Sequence, residues 1–536
     1  MIPVLTRSEF SQLDKRAAEA SSGFEYMQKA ARGLFDLIIS RYLDLQKQGR
    51  KTMVVVFAGT GNNGGDGLLA AAYLAEQGYP VTVFATGDAS QYQNEALLAY
   101  QELEQQKLSP CFINDVADIE FVQEQFKEFT GKFDRYIFVD ALLGFGASGE
   151  TREPAATLIR FINENYPMVE TIAVDLPSGT DADNGKLNGT AVRAHKTLSM
   201  GYPKLGSFFF PARANYGLTI VQNLNYPQEI FEQEFKSQVY FASSIKQLMP
   251  PRVATGSKYD HGYAALWAGS PGMEGALKLA ASAAYKSGLG LLKVITDQET
   301  RKIFATSFAE AISAEFDDGI LTSLIAPQDD KKTPAVLALG PGLGEQKQIK
   351  TLLENYQAPM VLDADGINSL DLDLLAKHQG EVLLTPHAGE YSRLFGELKP
   401  GLEPIDLVQE LQAQAQKYKV SILFKGSPTI IADPGGKVFV VPFGNSGLAT
   451  AGSGDVLTGL ITGLSAQIYT VQARHPNLRF FYQACEISAL TQAAILGAYL
   501  HAKAGEAAAK QLSEYSVMAS DLLDYIPAVI LREGVA

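Results

Sequence analysis

Five short apolar runs between residues 263 and 424 each stop at a glycine-rich or polar turn, and this rhythm limits the architectures open to the chain. Residues 263–268 end at Gly269-Ser270-Pro271-Gly272, 335–339 at Gly340-Pro341-Gly342-Leu343-Gly344, and 360–362 at Asp363-Ala364-Asp365-Gly366. Residues 381–384 end at Thr385-Pro386-His387-Ala388-Gly389-Glu390, and 421–424 at Lys425-Gly426-Ser427-Pro428-Thr429. Short continuous apolar runs bounded by such turns read as strands buried on both faces, which calls for helices above and below a parallel sheet. The turns at the carboxyl ends of such strands collect on one edge, where ligands bind. Residues 274–287 read as an intervening helix, stopped by Gly288 and Gly290 before a strand at 291–296.

The amino-terminal half follows the same plan. Thr6-Arg7-Ser8-Glu9 has the form of a capping box, and Met27, Ala30, Ala31, Leu34, Phe35 and Ile38 share one helical face. Residues 53–58 read as a buried strand, 68–77 as a helix and 81–85 as a second strand, a β-α-β unit. Between the first two lies Gly59-Thr60-Gly61-Asn62-Asn63-Gly64-Gly65-Asp66-Gly67. Its glycines satisfy the dinucleotide spacing G-x-G-x-x-G, a weak signal by itself. Asn62, Asn63 and Asp66 add side-chain oxygens to a loop rich in amides, a composition suited to holding a phosphate and a hard cation together. Two more strands, 136–139 and 171–174, run into Asp140 and Asp175; Gly144 to Glu150 follow the first and Leu176-Pro177-Ser178-Gly179 the second. Either Asp alone is an ordinary turn residue; together, at the ends of parallel strands, they converge on the first loop.

A strand at 438–441 leads into Gly444-Asn445-Ser446-Gly447-Leu448-Ala449-Thr450-Ala451-Gly452-Ser453-Gly454-Asp455, and Val456, Leu457, Leu460 and Ile461 then recur at helical spacing. Small residues at Gly452, Ser453 and Gly454 let backbone amides approach a ligand, and the positive end of the helix points to the same place. Asp455 enters the first turn as a carboxylate beside an oxyanion cradle, the placement of a general base for a hydroxyl accepting a phosphoryl group. The plain alternative is a glycine-rich turn with Asp455 as a cap. Lys425 is read as a phosphate partner, with a solvated lysine as alternative, and His387 as a substrate contact displayed on a turn. Asp433-Pro434-Gly435-Gly436 reads as a hairpin turn without function.

At 536 residues the chain exceeds a single core. We expect domains at 1–226 and 251–536 with a junction at 227–250, where glycines stop, Glu229, Glu232 and Glu234 appear, and Pro250-Pro251 follows. With 46% apolar and 19% charged residues the composition is globular. A net charge of −14 argues against nucleic-acid and anionic-membrane partners, while a small anionic substrate stays open to local binding by amides. Cys111 and Cys485 provide neither a disulfide framework nor zinc spacing, and residues 1–10 lack an apolar signal core. The expectation is a cytoplasmic enzyme acting on small molecules.

The Gly444 to Asp455 segment resembles the anion-hole signature of the ribokinase-like superfamily, and residues 252–523 resemble its ADP-dependent NAD(P)H-hydrate dehydratase branch. Residues 13–226, with the 59–67 loop, Asp140, Asp175 to Gly179 and Met200-Gly201-Tyr202-Pro203-Lys204-Leu205-Gly206, resemble the NAD(P)H-hydrate epimerase domain. The resemblance implies two α/β domains, a Rossmann-like three-layer α/β/α domain followed by a ribokinase-like one. By position it implies a potassium ion on Asn63, Asp140 and Ser178, with Asp175 as acid/base. The hydrated dinucleotide would lie on Asn62, Asn63, Gly64, Gly65, Asp66, Gly144, Phe145, Gly146, Ala147, Ser148, Gly149, Glu150 and Asp175. In the second domain the hydrate would meet Ala276, Gly342, Gly344, His387 and the catalytic Asp455. ADP, with Mg²⁺, would meet Lys425, Gly426, Ser427, Pro428, Thr429, Gly452, Ser453 and Gly454. Tyr202 and Ser257 depart from the family pattern, in which a smaller residue and a His are expected. A homo-oligomer is expected too. The competing functional readings are a vitamin-alcohol kinase for the second domain and a non-catalytic nucleotide-binding module for the first.

Overall fold

The computed structural model describes residues 1–227, 229, 239–252, 254–325, 333–474 and 486–533. Glu232, Glu234 and Cys485 lie outside them. Cα packing divides the chain into two compact units, Ile2–Ser237 and Gln238–Ala536. No helix among the described residues is long and apolar enough to cross a membrane.

In the first unit seven strands form one sheet, every paired neighbour parallel. Thr52–Ala58 is flanked on one side by Val81–Thr86 and then Cys111–Ile113, and on the other by Arg135–Ala141, Glu170–Val174, Lys196–Met200 and Leu218–Gln222. The chain therefore reverses its winding direction between Thr52–Ala58 and Arg135–Ala141, and a crevice opens beyond strand ends at such a switch point. All seven residues of Thr52–Ala58 are buried, alternate side chains entering different cores: Val54, Val56 and Ala58 in one, Met53, Val55 and Phe57 in the other. Burying one such Val or Phe side chain is worth about 1.5–3 kcal/mol, so this strand is central. Arg7–Ala20 begins with the expected capping box, in which Thr6 and Glu9 bond reciprocally. Gly23–Lys47 buries Met27, Ala30, Ala31, Leu34 and Ile38, with Phe35 partly exposed at the margin of that face.

One expectation is corrected here. The helix expected at 68–77 spans Asn62–Glu76, so Asn62, Asn63, Gly64, Gly65 and Asp66 form its first turns instead of a loop. Glycine's poor helix propensity hid this, and close packing explains it. A Cβ on Gly64 would sit 1.8 Å from the Gly59 carbonyl oxygen.

In the second unit the sheet runs, in spatial order, Val239–Phe241, Val438–Val441, Thr429–Ala432, Ser421–Phe424, Val382–Leu384, Met360–Leu362, Val336–Leu339, Tyr263–Trp267, Leu291–Thr296 and Ile312–Glu315. The stretch from Ser421–Phe424 to Ile312–Glu315 is parallel throughout, as the five runs imply. Thr429–Ala432 departs from it: it pairs antiparallel with both Ser421–Phe424 and Val438–Val441. Val239–Phe241, inside the expected junction, pairs parallel with Val438–Val441 and so extends this sheet. Helices Glu274–Lys286, Ser453–Arg474 and Ala489–Leu512 bury alanine- and leucine-rich faces in the core of this unit. Asp433 does more than turn a hairpin. It is buried and accepts from the Ser488 amide (3.0 Å) and the Thr491 hydroxyl (2.7 Å), anchoring the start of Ala489–Leu512.

Candidate functional sites

In the first unit a cavity of about 500 Å³ opens at the switch point. Asn62, Asn63, Gly64, Asp66, Gly144, Phe145, Gly146, Ala147 and Asp175 all line it. Gly65 does not: a Cβ there would meet the Met27 side chain at 2.6 Å, so this glycine serves helix packing. A neighbouring recess of about 400 Å³ takes Ser148, Gly149 and Glu150, and shares Thr86, Leu143, Gly144 and Ala147 with the first.

Asn63, Asp140 and Ser178 meet around Leu143. Asn63 Nδ2 donates to the Leu143 carbonyl (3.1 Å), and the Leu143 amide donates to Ser178 Oγ (2.9 Å). Ser178 donates from its hydroxyl (2.6 Å) and its amide (2.8 Å) to the Asp140 carboxylate. Asp140 is fully buried, and burial pushes its carboxyl up to about 6 against those hydrogen bonds. Asn63 Oδ1 is buried without a hydrogen-bond partner. A buried amide oxygen left unpaired costs free energy, and beside a carboxylate and a hydroxyl it completes an all-oxygen donor set. These residues fit a hard monovalent cation.

Asp175 follows strand Glu170–Val174 in the left-handed region (φ 66°) and accepts from the Met200 amide (3.1 Å) and from Lys204 Nζ. Lys204 is 1% exposed, donates also to the Met200 carbonyl (3.2 Å) and lies 3.9 Å from the centre of the Phe10 ring. Burial lowers its pKa, partly offset by Asp175. Asp14 lines the same cavity. Burial raises its pKa even though the Tyr226 hydroxyl donates to it (3.0 Å). Sequence reasoning missed Lys204, Asp14, Tyr226 and Phe10 as site residues. Lys204 stands within the 200–206 segment, but nothing local marks its ammonium as buried. Phe10 and Asp14 belong to the helix that the capping box opens, and nothing in that stretch of sequence marks either as a site residue. The unusual Tyr202 stacks on Tyr226, ring centres 6.2 Å apart, and so braces this wall.

In the second unit the strand-end turns also converge. Asp363, 2% exposed, accepts from Lys425 Nζ (2.8 Å), Thr385 Oγ1 (2.8 Å) and Thr458 Oγ1 (2.6 Å). Burial alone would raise its pKa; the Lys425 charge and these donors outweigh it and hold the carboxylate below its usual range. Lys425 also lies 3.5 Å from Glu390, and the two carboxylates raise its pKa against the effect of burial. A Cβ on Gly454 would be 3.9 Å from Lys425 Nζ, so the ammonium borders the glycine loop. Gly452 takes the left-handed conformation (φ 86°) that turns the chain into helix Ser453–Arg474. Asp455 stands in that helix's first turn, its carboxyl pushed up to about 6 by burial and by the Asp363 charge, with Lys425 opposing and Asp365 adding to the shift.

Gly342 approaches Ala276, their Cβ positions 3.1 Å apart, and the Gly344 amide donates to Asp365 (2.9 Å), which brings this loop to the same edge. Gly426, Ser427, Pro428 and Thr429 form the turn between Ser421–Phe424 and Thr429–Ala432, closed by Thr429 Oγ1 donating to the Gly426 carbonyl (3.2 Å). His387 has a structural job that the sequence reading overlooked: its Nδ1 accepts from the Gly389 (2.9 Å) and Glu390 (3.2 Å) amides, capping helix Ala388–Phe395. Its ring stays half exposed, 3.5 Å from Glu390. Sequence reasoning also missed Thr385, Glu390, Thr458 and His501. His501 Nε2 lies 2.9 Å from Ser453 Oγ and 3.0 Å from the Ser453 carbonyl, and burial holds the imidazole down to about 4, so it is neutral.

Comparison with known proteins matches residues 264–528 to the family described as NAD(P)H-hydrate dehydratase, and residues 23–206 to that described as YjeF-related protein N-terminus. The chain is 33% identical to the bifunctional NAD(P)H-hydrate repair enzyme Nnr of Moorella thermoacetica, covering 98% of this chain and 96% of that protein. It is 31% identical to the Coxiella burnetii enzyme of the same name (97% and 98% covered) and 28% to that of Escherichia coli (95% and 90%). Among solved structures, the ADP/ATP-dependent NAD(P)H-hydrate dehydratase of Bacillus subtilis, co-crystallized with ATP and Mg²⁺, is 28% identical, covering 54% of this chain and 96% of that one, with a TM-score of 0.43.

Proposed function

The chain belongs to the bifunctional NAD(P)H-hydrate repair enzymes, and from that membership we propose how its residues divide the work. The boundaries we assign are an epimerase domain at 1–226, a junction at 227–250 and a dehydratase domain at 251–536, whose sheet also takes Val239–Phe241 from the junction. The first unit interconverts the R and S forms of hydrated NADH or NADPH. The second removes water from the S form with ADP as phosphoryl donor, giving NAD(P)H, AMP and phosphate.

For the epimerase, the hydrated ring enters the cavity between the Asn62 to Asp66 turns and Gly144 to Ala147, with Asp175 as acid/base. The shared wall at Gly144 and Ala147 lets the rest of the dinucleotide continue towards Ser148, Gly149 and Glu150. Asn63, Asp140 and Ser178 would hold potassium, whose charge would neutralise Asp140 and tie three loop ends together. The unpaired Asn63 Oδ1 supports this.

For the dehydratase, the single observation that carries the reading is Asp455 at the start of the glycine-loop helix with Lys425 beside it. Lys425 and the turn through Thr429 hold ADP, with Gly452, Ser453 and Gly454 at the group in transfer, the Ser453 amide exchanging its bond to the Thr450 carbonyl (3.3 Å) for one to that group. Asp455 takes the proton of the substrate hydroxyl as its oxygen attacks the terminal phosphorus and AMP departs; the C–O bond to phosphate then breaks, the neighbouring ring carbon gives up a proton to water, and the ring double bond reforms. Ala276, Gly342, Gly344 and His387 border the hydrate. Among the described residues no three His, Cys, Asp or Glu side chains are grouped to hold a metal ion, so Mg²⁺ would arrive on the nucleotide phosphates, where it commonly binds. Lys425 in ion pairs is a poor match for a lysine idling in solvent, but a true kinase would place one similarly. The test is chemical: with mixed hydrate epimers and ADP, dihydronicotinamide absorbance should recover with release of inorganic phosphate. A stable phosphorylated product would instead mean a small-molecule kinase. We place the reaction in the cytoplasm, a setting that suits reduced cysteines, and expect a homo-oligomer on a sizing column.

A further inference from the structure

Asp66 and Asp175 line one cavity but come from different elements and keep different company. Asp175 is bound by two donors, Lys204 Nζ and the Met200 amide, the bonding of a carboxylate. Asp66, on the second turn of helix Asn62–Glu76, shares the cavity with Asp14 from helix Arg7–Ala20, Glu95 from helix Asn94–Gln105, and the phenols of Tyr26 and Tyr226. One ammonium, Lys204, thus serves a group of acidic side chains, and it is committed to Asp175.

The chemistry needs two such groups. Water adds to the ring enamine with its hydroxyl on the carbon next to the ring nitrogen, so inversion at that carbon must break and remake one C–O bond. An acid assists departure of the hydroxyl and a base assists the return of water. Enzymes assign those parts by giving two carboxyls unlike surroundings.

We infer that Asp66 is a second catalytic residue of the epimerase site, donating the proton on which the hydroxyl leaves, while Asp175, fixed by Lys204, accepts a proton from the water that returns on the opposite face. The inference rests on the epimerase reading of this unit. The C–O bond breaks with its electron pair going to oxygen, which takes the Asp66 proton and departs as water. The ring nitrogen lone pair forms the C=N⁺ bond. A water oxygen then adds to that carbon, the C=N pair returns to nitrogen, and the surplus proton goes to Asp175. Nothing is oxidised or reduced. One water leaves and one enters, and a proton has moved from Asp66 to Asp175; proton exchange of both carboxyls with solvent water restores the starting state before the next turnover. Burial, with repulsion from Asp175 and Asp14, pushes the Asp66 carboxyl well above the usual carboxylate range, only Lys204 opposing, and this keeps the donor neutral and protonated.

The experiment uses the full chain and the S epimer of hydrated NADH without ADP, with chromatography following formation of the R epimer from acid to alkaline pH. The wild-type kcat should fall on the alkaline side as Asp66 loses its proton. Asp66→Asn should lower kcat about a hundredfold, leave KM nearly unchanged and abolish the alkaline limb. Asp66→Glu, which keeps an acid but moves it, should retain part of the rate and an alkaline limb at shifted pH. Wild-type kcat in Asp66→Asn, or a raised KM with kcat intact, would overturn the inference and leave Asp66 a binding contact. If Asp66→Asn fails to fold, Asp66→Glu decides: a wild-type rate and an unshifted profile count against the inference. A wild-type protein that binds the hydrate but never equilibrates the epimers overturns the epimerase reading itself.

Discussion

Asp455 occupies a place that is unfavourable for a charged carboxylate, and that is what suits it to be a base. Burial and the neighbouring Asp363 push its carboxyl up to about 6, close to the pH at which it must work. Its proton acceptor form is lost as pH falls through that value, so the dehydratase rate should decline on the acid side near pH 6. Asp455→Asn should cut that rate by about a hundredfold or more. The sign for stability is opposite. With its pKa raised on folding, the native state binds more protons here than the unfolded chain between the ordinary carboxylate range and about 6, so stability falls as pH rises through that window. The neutral amide should therefore stabilise the protein at pH 7 and above, by on the order of 1 kcal/mol after allowing for solvent screening. Kinetics and thermal melting of this variant check both signs. Asp140 is the matching case in the first unit. Removing the only charged member of its oxygen set in Asp140→Ala should weaken potassium binding and slow epimerisation, read by thallium or potassium titration beside epimer exchange. An unchanged titration would remove Asp140 from the ion site.

Among the elements, helix Ala388–Phe395 separates two roles that meet in His387. The imidazole nitrogen Nδ1 caps the helix, a contribution of about 1 kcal/mol for a good cap, while the rest of the ring is half exposed, with Nε2 3.5 Å from Glu390. Asn caps nearly as well without the ring. His387→Asn should keep the melting temperature but raise KM for the hydrate, whereas His387→Ala should lower both stability and affinity. Equal KM in wild type and His387→Asn would make the residue a cap only. Helix Asn62–Glu76 teaches the converse lesson about legibility. Its glycines look like loop in one dimension because propensity is a local quantity; Gly65 against Met27 is a contact made across the fold, and the tight approach of Gly64 to Gly59 exists only once the strand end turns directly into the helix.

For the molecule as a whole, each unit has its own hydrophobic cores. Because Val239–Phe241 pairs with Val438–Val441, a dehydratase fragment should begin at Gln238, ahead of that strand; we expect it to be folded and to use the S epimer with ADP. A start at Phe241 removes most of an outer strand and should yield a less stable fragment, by comparison of denaturant midpoints. The two chemistries should also separate in the intact chain. Asp175→Asn should consume S at the normal initial rate and then stall with R left over, and Asp455→Asn should equilibrate epimers while regenerating no cofactor. Loss of both activities from either folded variant contradicts two independent sites.

The strands, their parallel order over most of each sheet and the convergence of their ends were legible along the chain, because burial on both faces and turn chemistry are written into consecutive residues. So were the glycine loop before Asp455 and the grouping of Asn63, Asp140 and Ser178, the latter through family likeness. The partners that tune these groups were not. Asp363 draws its donors from Thr385, Lys425 and Thr458, between 22 and 95 residues away, and Lys204 reaches Asp175 across 29. Whether a lysine is solvated or buried against a carboxylate depends on which elements close over it. No local window holds that information, so the protonation states at both sites were decided only when the chain folded.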